Sequence, residues 1–210
     1  MLYTPPMAEE AASGFRRLSR TWELPLSFEA VERLGIYVER LLEWNERVNL
    51  TGARGVPELI GEHLPDSYAL AKMCPPEASL VDVGSGGGLP AIPFAILRPD
   101  CRITLVEPRA KRTAFLNTAV RSCGLRQVEV LRSRVEDLPE SEHTVAASRA
   151  TFNPSTWLQL APRLLGPEGL VFVFSTSRDI ETSARARLVE SVDYRTSEGS
   201  PRWLGSYRFT

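Results

Sequence analysis

The residues with the clearest chemical potential form one run, Asp82-Val83-Gly84-Ser85-Gly86-Gly87-Gly88-Leu89. It follows a short apolar segment that reads as a buried strand and precedes one that reads as a helix. Glycines in that setting let the backbone turn sharply and come close to a ligand, and the next helix offers free N–H groups. A flexible turn is the plain alternative. A dinucleotide site is the stronger rival, but its fingerprint needs glycine at the first, third and sixth positions, and counted from Gly84 the sixth is Leu89. Glu107 closes the next strand nineteen residues after Gly88, where a carboxylate can accept two ribose hydroxyls. Arg149 follows the fourth strand, at the end of a sheet where ligands sit; a salt-bridged surface arginine is the bland alternative.

These residues need a parallel sheet to bring them together. From Ser79 onward short apolar strands, at 80–83, 103–106, 128–131, 145–148 and 170–174, alternate with helical patterns at 92–97, 111–123 and 155–165. A further helix is expected at 180–191, with terminal strands around 192–194 and 203–209. Ahead of the sheet, 27–44 is an amphipathic helix with Ser27 as N-cap, and 57–73 is a helix that Pro65 should break or kink near His63 and Leu64, exposing His63, Asp66 and Ser67. Pro75 and Pro76 mark the boundary. The fold class expected is α/β, Rossmann-like: a mostly parallel seven-stranded sheet with helices on both faces (76–210) and an N-terminal helical extension (1–75) packed on it.

Composition narrows the classes. No run of eighteen apolar residues appears, and Met1–Ser13 lacks a basic segment followed by an apolar one, so a cytoplasmic protein without a membrane partner is expected. Cys74, Cys101 and Cys123 are odd in number and widely spaced, which fits neither a disulfide framework nor zinc; His63 and His143 are too few for a metal site, so no metal is expected. The net charge of −1 attracts no polyanion by itself, yet Arg98 to Arg134 holds nine basic residues against three acidic ones. That face is either simply solvated or able to hold phosphates.

The spacing Asp82, Gly84, Gly86, Gly88 resembles motif I of class I S-adenosylmethionine methyltransferases. That resemblance gives Glu107 to the ribose and Val135, Glu136 and Asp137 to the adenine. In such enzymes exocyclic amines are usually methylated with an Asn/Asp-Pro-Pro-aromatic motif after the fourth strand, where this chain has Ser148-Arg149-Ala150. C5 of a pyrimidine needs a cysteine near the later strands, and all three cysteines lie earlier. A ring nitrogen such as guanine N7 carries a lone pair and no proton, so it needs no base.

Together Trp44-Asn45, Asn49-Leu50-Thr51, His63 with Asp66-Ser67, Asp82 to Pro93, Glu107 with Lys111-Arg112, Phe115-Leu116, Ser133-Arg134-Val135-Glu136 and Ser148-Arg149-Ala150 resemble the bacterial 16S ribosomal RNA guanine-N7 methyltransferase G family, the glucose-inhibited division protein B family. The resemblance implies S-adenosylmethionine as cofactor, contacted by Gly84, Gly86, Gly88, Leu89, Glu107, Val135, Glu136 and Arg149. It implies a guanine in the 530 loop of 16S rRNA as target, on free RNA or the 30S subunit and not on DNA, with Arg149 catalytic, His63, Asp66, Ser67, Lys111 and Arg112 toward the substrate, and the chain a monomer. Two departures stand out. Leu89-Pro90-Ala91 replaces the family's Gly-Phe/Leu-Pro-Gly ending, which alanine tolerates only if its φ is negative, and Ser175-Thr176 replaces Lys-Gly after the fifth strand. A small-molecule methyltransferase and a non-catalytic RNA-binding relative are the alternatives.

Overall fold

A computed structural model describes residues 6–209, so residues 1–5 of the Met1–Ser13 segment lie outside it. Its helices are α1 (Pro6–Trp22), α2 (Phe28–Asn45), α3 (Val56–Glu58), α4 (Leu64–Met73), α5 (Ala91–Leu97), α6 (Ala110–Ser122) and α7 (Pro154–Leu160). Its strands are β1 (Ser79–Val83), β2 (Arg102–Val106), β3 (Val128–Leu131), β4 (His143–Ser148), β5 (Leu165–Ser175), β6 (Ala186–Arg195) and β7 (Pro201–Phe209). They form one sheet in the order β3-β2-β1-β4-β5-β7-β6. The first five strands run parallel, and β7 is antiparallel to both of its neighbours.

Alternation along the strands divides the core in two. Leu80, Val145 and Phe172 face a layer built from α1, α2, α4, α5 and α6. Val81, Ala146 and Val171 face the opposite way, onto Trp157 and Leu158 of α7. Because β1 lies between β2 and β4, the order reverses there, and the loops after β1, β2, β3 and β4 gather at one edge of the sheet, the usual ligand crevice of such folds.

The expected α/β architecture is therefore present, with two corrections. The helix expected at 180–191 is absent: residues 186–195 form β6, zipped to β7 from Ala186↔Phe209 to Arg195↔Pro201. Ala, Arg, Leu and Glu favour a helix locally, but pairing with β7 and the packing of partly buried Val192 and Tyr194 on the core override that weak preference. The second correction concerns α1, an element not read from the sequence, which buries Phe15 against the helical layer.

The Pro65 irregularity takes a specific form. The helix does not break; it widens through a π turn at Leu59–His63 and continues as α4. Pro65 has no N–H to offer Gly61 four residues back, and the Gly61 carbonyl instead accepts from Ser197 N in the β6–β7 turn at 3.0 Å. The contact is so close that a Cβ on Gly61 would lie 2.0 Å from Ser197 Oγ. Glu62 fastens the same turn, its Oε1 accepting from Ser197 Oγ and Glu198 N.

Candidate active site

The loop after β1 starts from Asp82, which is 1% exposed and whose Oδ2 has no hydrogen-bond partner among the described residues. Burial pushes its pKa up to about 7; the Ser85 hydroxyl and the Arg149 charge oppose the rise and Glu107 adds to it. Gly84, Gly86 and Gly88 all have positive φ. At Gly84 (φ +76°) a side chain would also strike Thr151, with Oγ1 only 2.1 Å from a Cβ. The loop is braced from the helical extension: Tyr37 of α2 donates its hydroxyl to the Gly87 carbonyl at 2.7 Å. Asn45 accepts from Leu50 N and Thr51 N and donates to the Thr51 carbonyl, which explains why the Asn49-Leu50-Thr51 run has a fixed shape.

Leu89 is buried beside these glycines, and Ala91 opens α5 with no positive φ, so alanine fits there without strain. Glu107 is 3% exposed at the end of β2. Its Oε2 accepts from Gly86 N at 3.0 Å and its Oε1 from Arg109 N at 2.9 Å, leaving each oxygen a second lone pair. A cavity of about 90 Å³ opens between this loop and the end of β3, lined by Gly84, Val106, Val135, Glu136, Thr151 and Phe152 among others. A wider cleft of about 590 Å³ lies elsewhere, between α7 and residues 181–185, and none of the glycine loop lines it, whereas Gly84 lines the smaller cavity.

Arg149 directly follows β4 and precedes Ala150 at φ +57°, a left-handed turn that costs a non-glycine residue about 1–2 kcal/mol. Its guanidinium is held from two sides: Nε pairs with Asp66 Oδ2, and Nη2 donates to His63 Nδ1 at 3.0 Å. Asp66 Oδ1 accepts from the Tyr194 hydroxyl at 2.6 Å. Burial, and then the Arg149 charge, lowers the His63 pKa, so the ring is neutral at neutral pH. Arginine can only donate, so Nδ1 carries the lone pair and Nε2 the proton.

The expected exposure of Asp66 and Ser67 is corrected. Asp66 is 2% and Ser67 0% exposed, because the π turn carries the helix past Pro65 and rotates both inward. Only His63 is half-buried. Lys111 is exposed at the start of α6, while Arg112 crosses the glycine loop and donates from Nη2 to the Asn49 carbonyl at 3.0 Å. Where Lys-Gly was absent after β5, Ser175 Oγ accepts from Ser177 N, and the next cation along the chain, Arg178, is paired with Asp193. All three cysteines are buried away from this edge, and burial pushes the Cys123 thiol up to about 12. Tyr37, Thr151 and Tyr194 are contributors that the sequence did not single out. The partners of Tyr194 and Tyr37 lie 128 and 50 residues away, so no local pattern signals them.

Residues 30–198 match the family model described as rRNA small subunit methyltransferase G. Proteins of that name are similar over most of their length. One from Halorhodospira halophila is 35% identical over 81% of this chain and 82% of its own, and one from Wolinella succinogenes 36% over 79% and 86%. Solved structures with the same fold include a B. subtilis tRNA methyltransferase (TM-score 0.57, 14% identity, 71% of this chain and 68% of that one). An Aquifex aeolicus S-adenosylmethionine-dependent methyltransferase is also similar (TM-score 0.52, 16% identity, 72% and 92%).

Proposed function

Since the chain belongs to the rRNA small subunit methyltransferase G family, a family of S-adenosylmethionine-dependent enzymes, we propose that it methylates N7 of a guanine in the 530 loop of 16S rRNA. The residues present fit the cofactor. The unpartnered Asp82 Oδ2 is placed to hold the cationic amine of its methionyl end, the positive-φ glycines leave room for it, and Glu107 keeps lone pairs for the ribose. Val135 and Glu136 line the cavity where the adenine would lie, with Leu89 beside the loop. When bound, the cofactor supplies an electrophilic methyl group on a sulfonium, and the transfer is an in-line displacement.

One observation carries the choice of N7: the groups around Arg149 present a cation and no base. His63 Nδ1 already accepts from Arg149, and Asp66 is buried with its charge paired to Arg149, so no side chain of this cluster is free to remove a proton from the acceptor. A nucleophile that brings its own lone pair suits such a site, and guanine N7 is one. Arg149 then orients the base by donating to an acceptor on its edge, with the Nε2 proton of neutral His63 as a further donor. Lys111 supplies a cation for RNA phosphates, and Arg112 shapes the loop while keeping its charge toward them. In this reading Asp66 and Ser67 serve the substrate indirectly, residues 76–210 hold the cofactor, residues 1–75 complete the crevice, and a monomer acts in the cytoplasm on 16S RNA or the 30S subunit, not on DNA.

The test is transfer of labelled methyl from S-adenosylmethionine to 16S RNA and to 30S particles lacking the modification, with cleavage mapping of 7-methylguanine. Label at one guanine is the expected result. Cofactor binding without transfer to either RNA substrate would overturn the reading.

A further inference from the structure

β6 lies at the outer edge of the sheet, yet its Tyr194 reaches back to the crevice. The Tyr194 hydroxyl donates to Asp66 Oδ1, while Asp66 Oδ2 pairs with Arg149 Nε. One carboxylate is thus fixed at both oxygens, which removes its freedom to rotate about the Cβ–Cγ bond. Burial and the neighbouring carboxylate raise the Tyr194 pKa, so the phenol remains a donor. The Tyr194 ring is itself held: Trp22 of α1 packs edge-on at 5.2 Å, and the adjoining β6–β7 turn is fastened to Gly61 and Glu62. Arg149 Nε and Nη2 are committed to Asp66 and His63, and Nη1 makes no hydrogen bond among the described residues.

We propose that Tyr194 is a positioning residue for methyl transfer: by fixing Asp66 it holds the Arg149 guanidinium in the orientation that leaves Nη1 free for the base to be methylated. The inference rests on the reading that Arg149 acts on the acceptor. It gives the C-terminal hairpin a role in the reaction without any contact with the reacting atoms, and it explains why Asp66 is buried and not exposed to RNA.

Tyr194→Phe removes the one hydroxyl and keeps the ring against Trp22. Its kcat for RNA methylation is expected to fall about tenfold, equivalent to about 1.4 kcal/mol, with the cofactor Kd and the KM for RNA changed less than twofold. In an Arg149→Lys background the same substitution should lower kcat less than twofold further, because the group it positions is already gone. A second readout needs no activity. His63 is one of only two histidines, and it is faced by Arg149, Asp66, Glu58 and Glu62. Its titration, followed by NMR on chains whose melting confirms folding, should move up toward its ordinary value in Tyr194→Phe as the guanidinium loosens.

Unchanged kcat in Tyr194→Phe, an equal tenfold loss in the Arg149→Lys background, or an unmoved His63 titration would each overturn the proposal. If the unsubstituted chain methylates no RNA, it is the proposed function that fails, and the His63 titration alone then decides whether Tyr194 positions Arg149.

Discussion

Cofactor affinity should depend on pH through Asp82. The carboxyl group is buried, its Oδ2 is unpartnered, and its pKa stands near 7, so it is largely protonated at pH 6 in the free protein. Pairing with the cofactor's ammonium requires the anion, so apparent affinity follows the ionised fraction: about 1 in 11 at pH 6, half at pH 7 and three-quarters at pH 7.5. Affinity should therefore rise about eightfold from pH 6 to 7.5, roughly 1.2 kcal/mol, a window in which an α-amino group of pKa about 7.7–8.0 stays mostly protonated. His63, lowered from 6.5, titrates beneath most of it. The assay is calorimetric titration with S-adenosylmethionine in buffers of different ionisation enthalpy, and at pH 7 about half a proton should be released per cofactor bound. Asp82→Asn should flatten the pH dependence and bind more weakly at pH 7.5. Equal affinity at pH 6 and 7.5 with no proton release would refute the reasoning. The folded-state sign is consistent: a carboxyl whose folded pKa is raised penalises the cofactor-free fold increasingly as pH climbs from about 4 to about 7, and bound cation relieves that penalty.

Two substitutions test the loop that holds the cofactor. Gly84→Ala forces a side chain into φ +76° and against Thr151, so it should destabilise by about 1–2 kcal/mol for the backbone plus about 1–3 for overpacking. Urea denaturation reads the sum, and combining it with Thr151→Gly should recover only the overpacking part; full recovery would show that the backbone conformation costs nothing. Tyr37→Phe strands the buried Gly87 carbonyl and should cost about 1–3 kcal/mol, with weakened cofactor binding because the loop loosens. Unchanged stability and binding would mean that α2 does not brace the loop.

Much of the site was legible in the sequence because its determinants are local. The glycine run declares a backbone with positive φ, and Gly84, Gly86 and Gly88 have it. Alternating short strands and helices dictate a parallel sheet, which places Glu107, Val135 and Arg149 at one edge whatever the side chains do there. Even the disturbance at Pro65 follows from one missing N–H. What the disturbance does was decided elsewhere: a π turn turns Asp66 and Ser67 inward, and the Gly61 carbonyl finds its partner in Ser197, far along the chain. Residues 186–191 read locally as helix for their Ala, Arg, Leu and Glu, and only the presence of β7 extends the strand expected at 192–194 back over them. Period and glycine spacing report on the backbone of one segment. The Tyr194–Asp66–Arg149–His63 chain joins three segments, and no residue in it reveals its partner until packing brings them within hydrogen-bond reach.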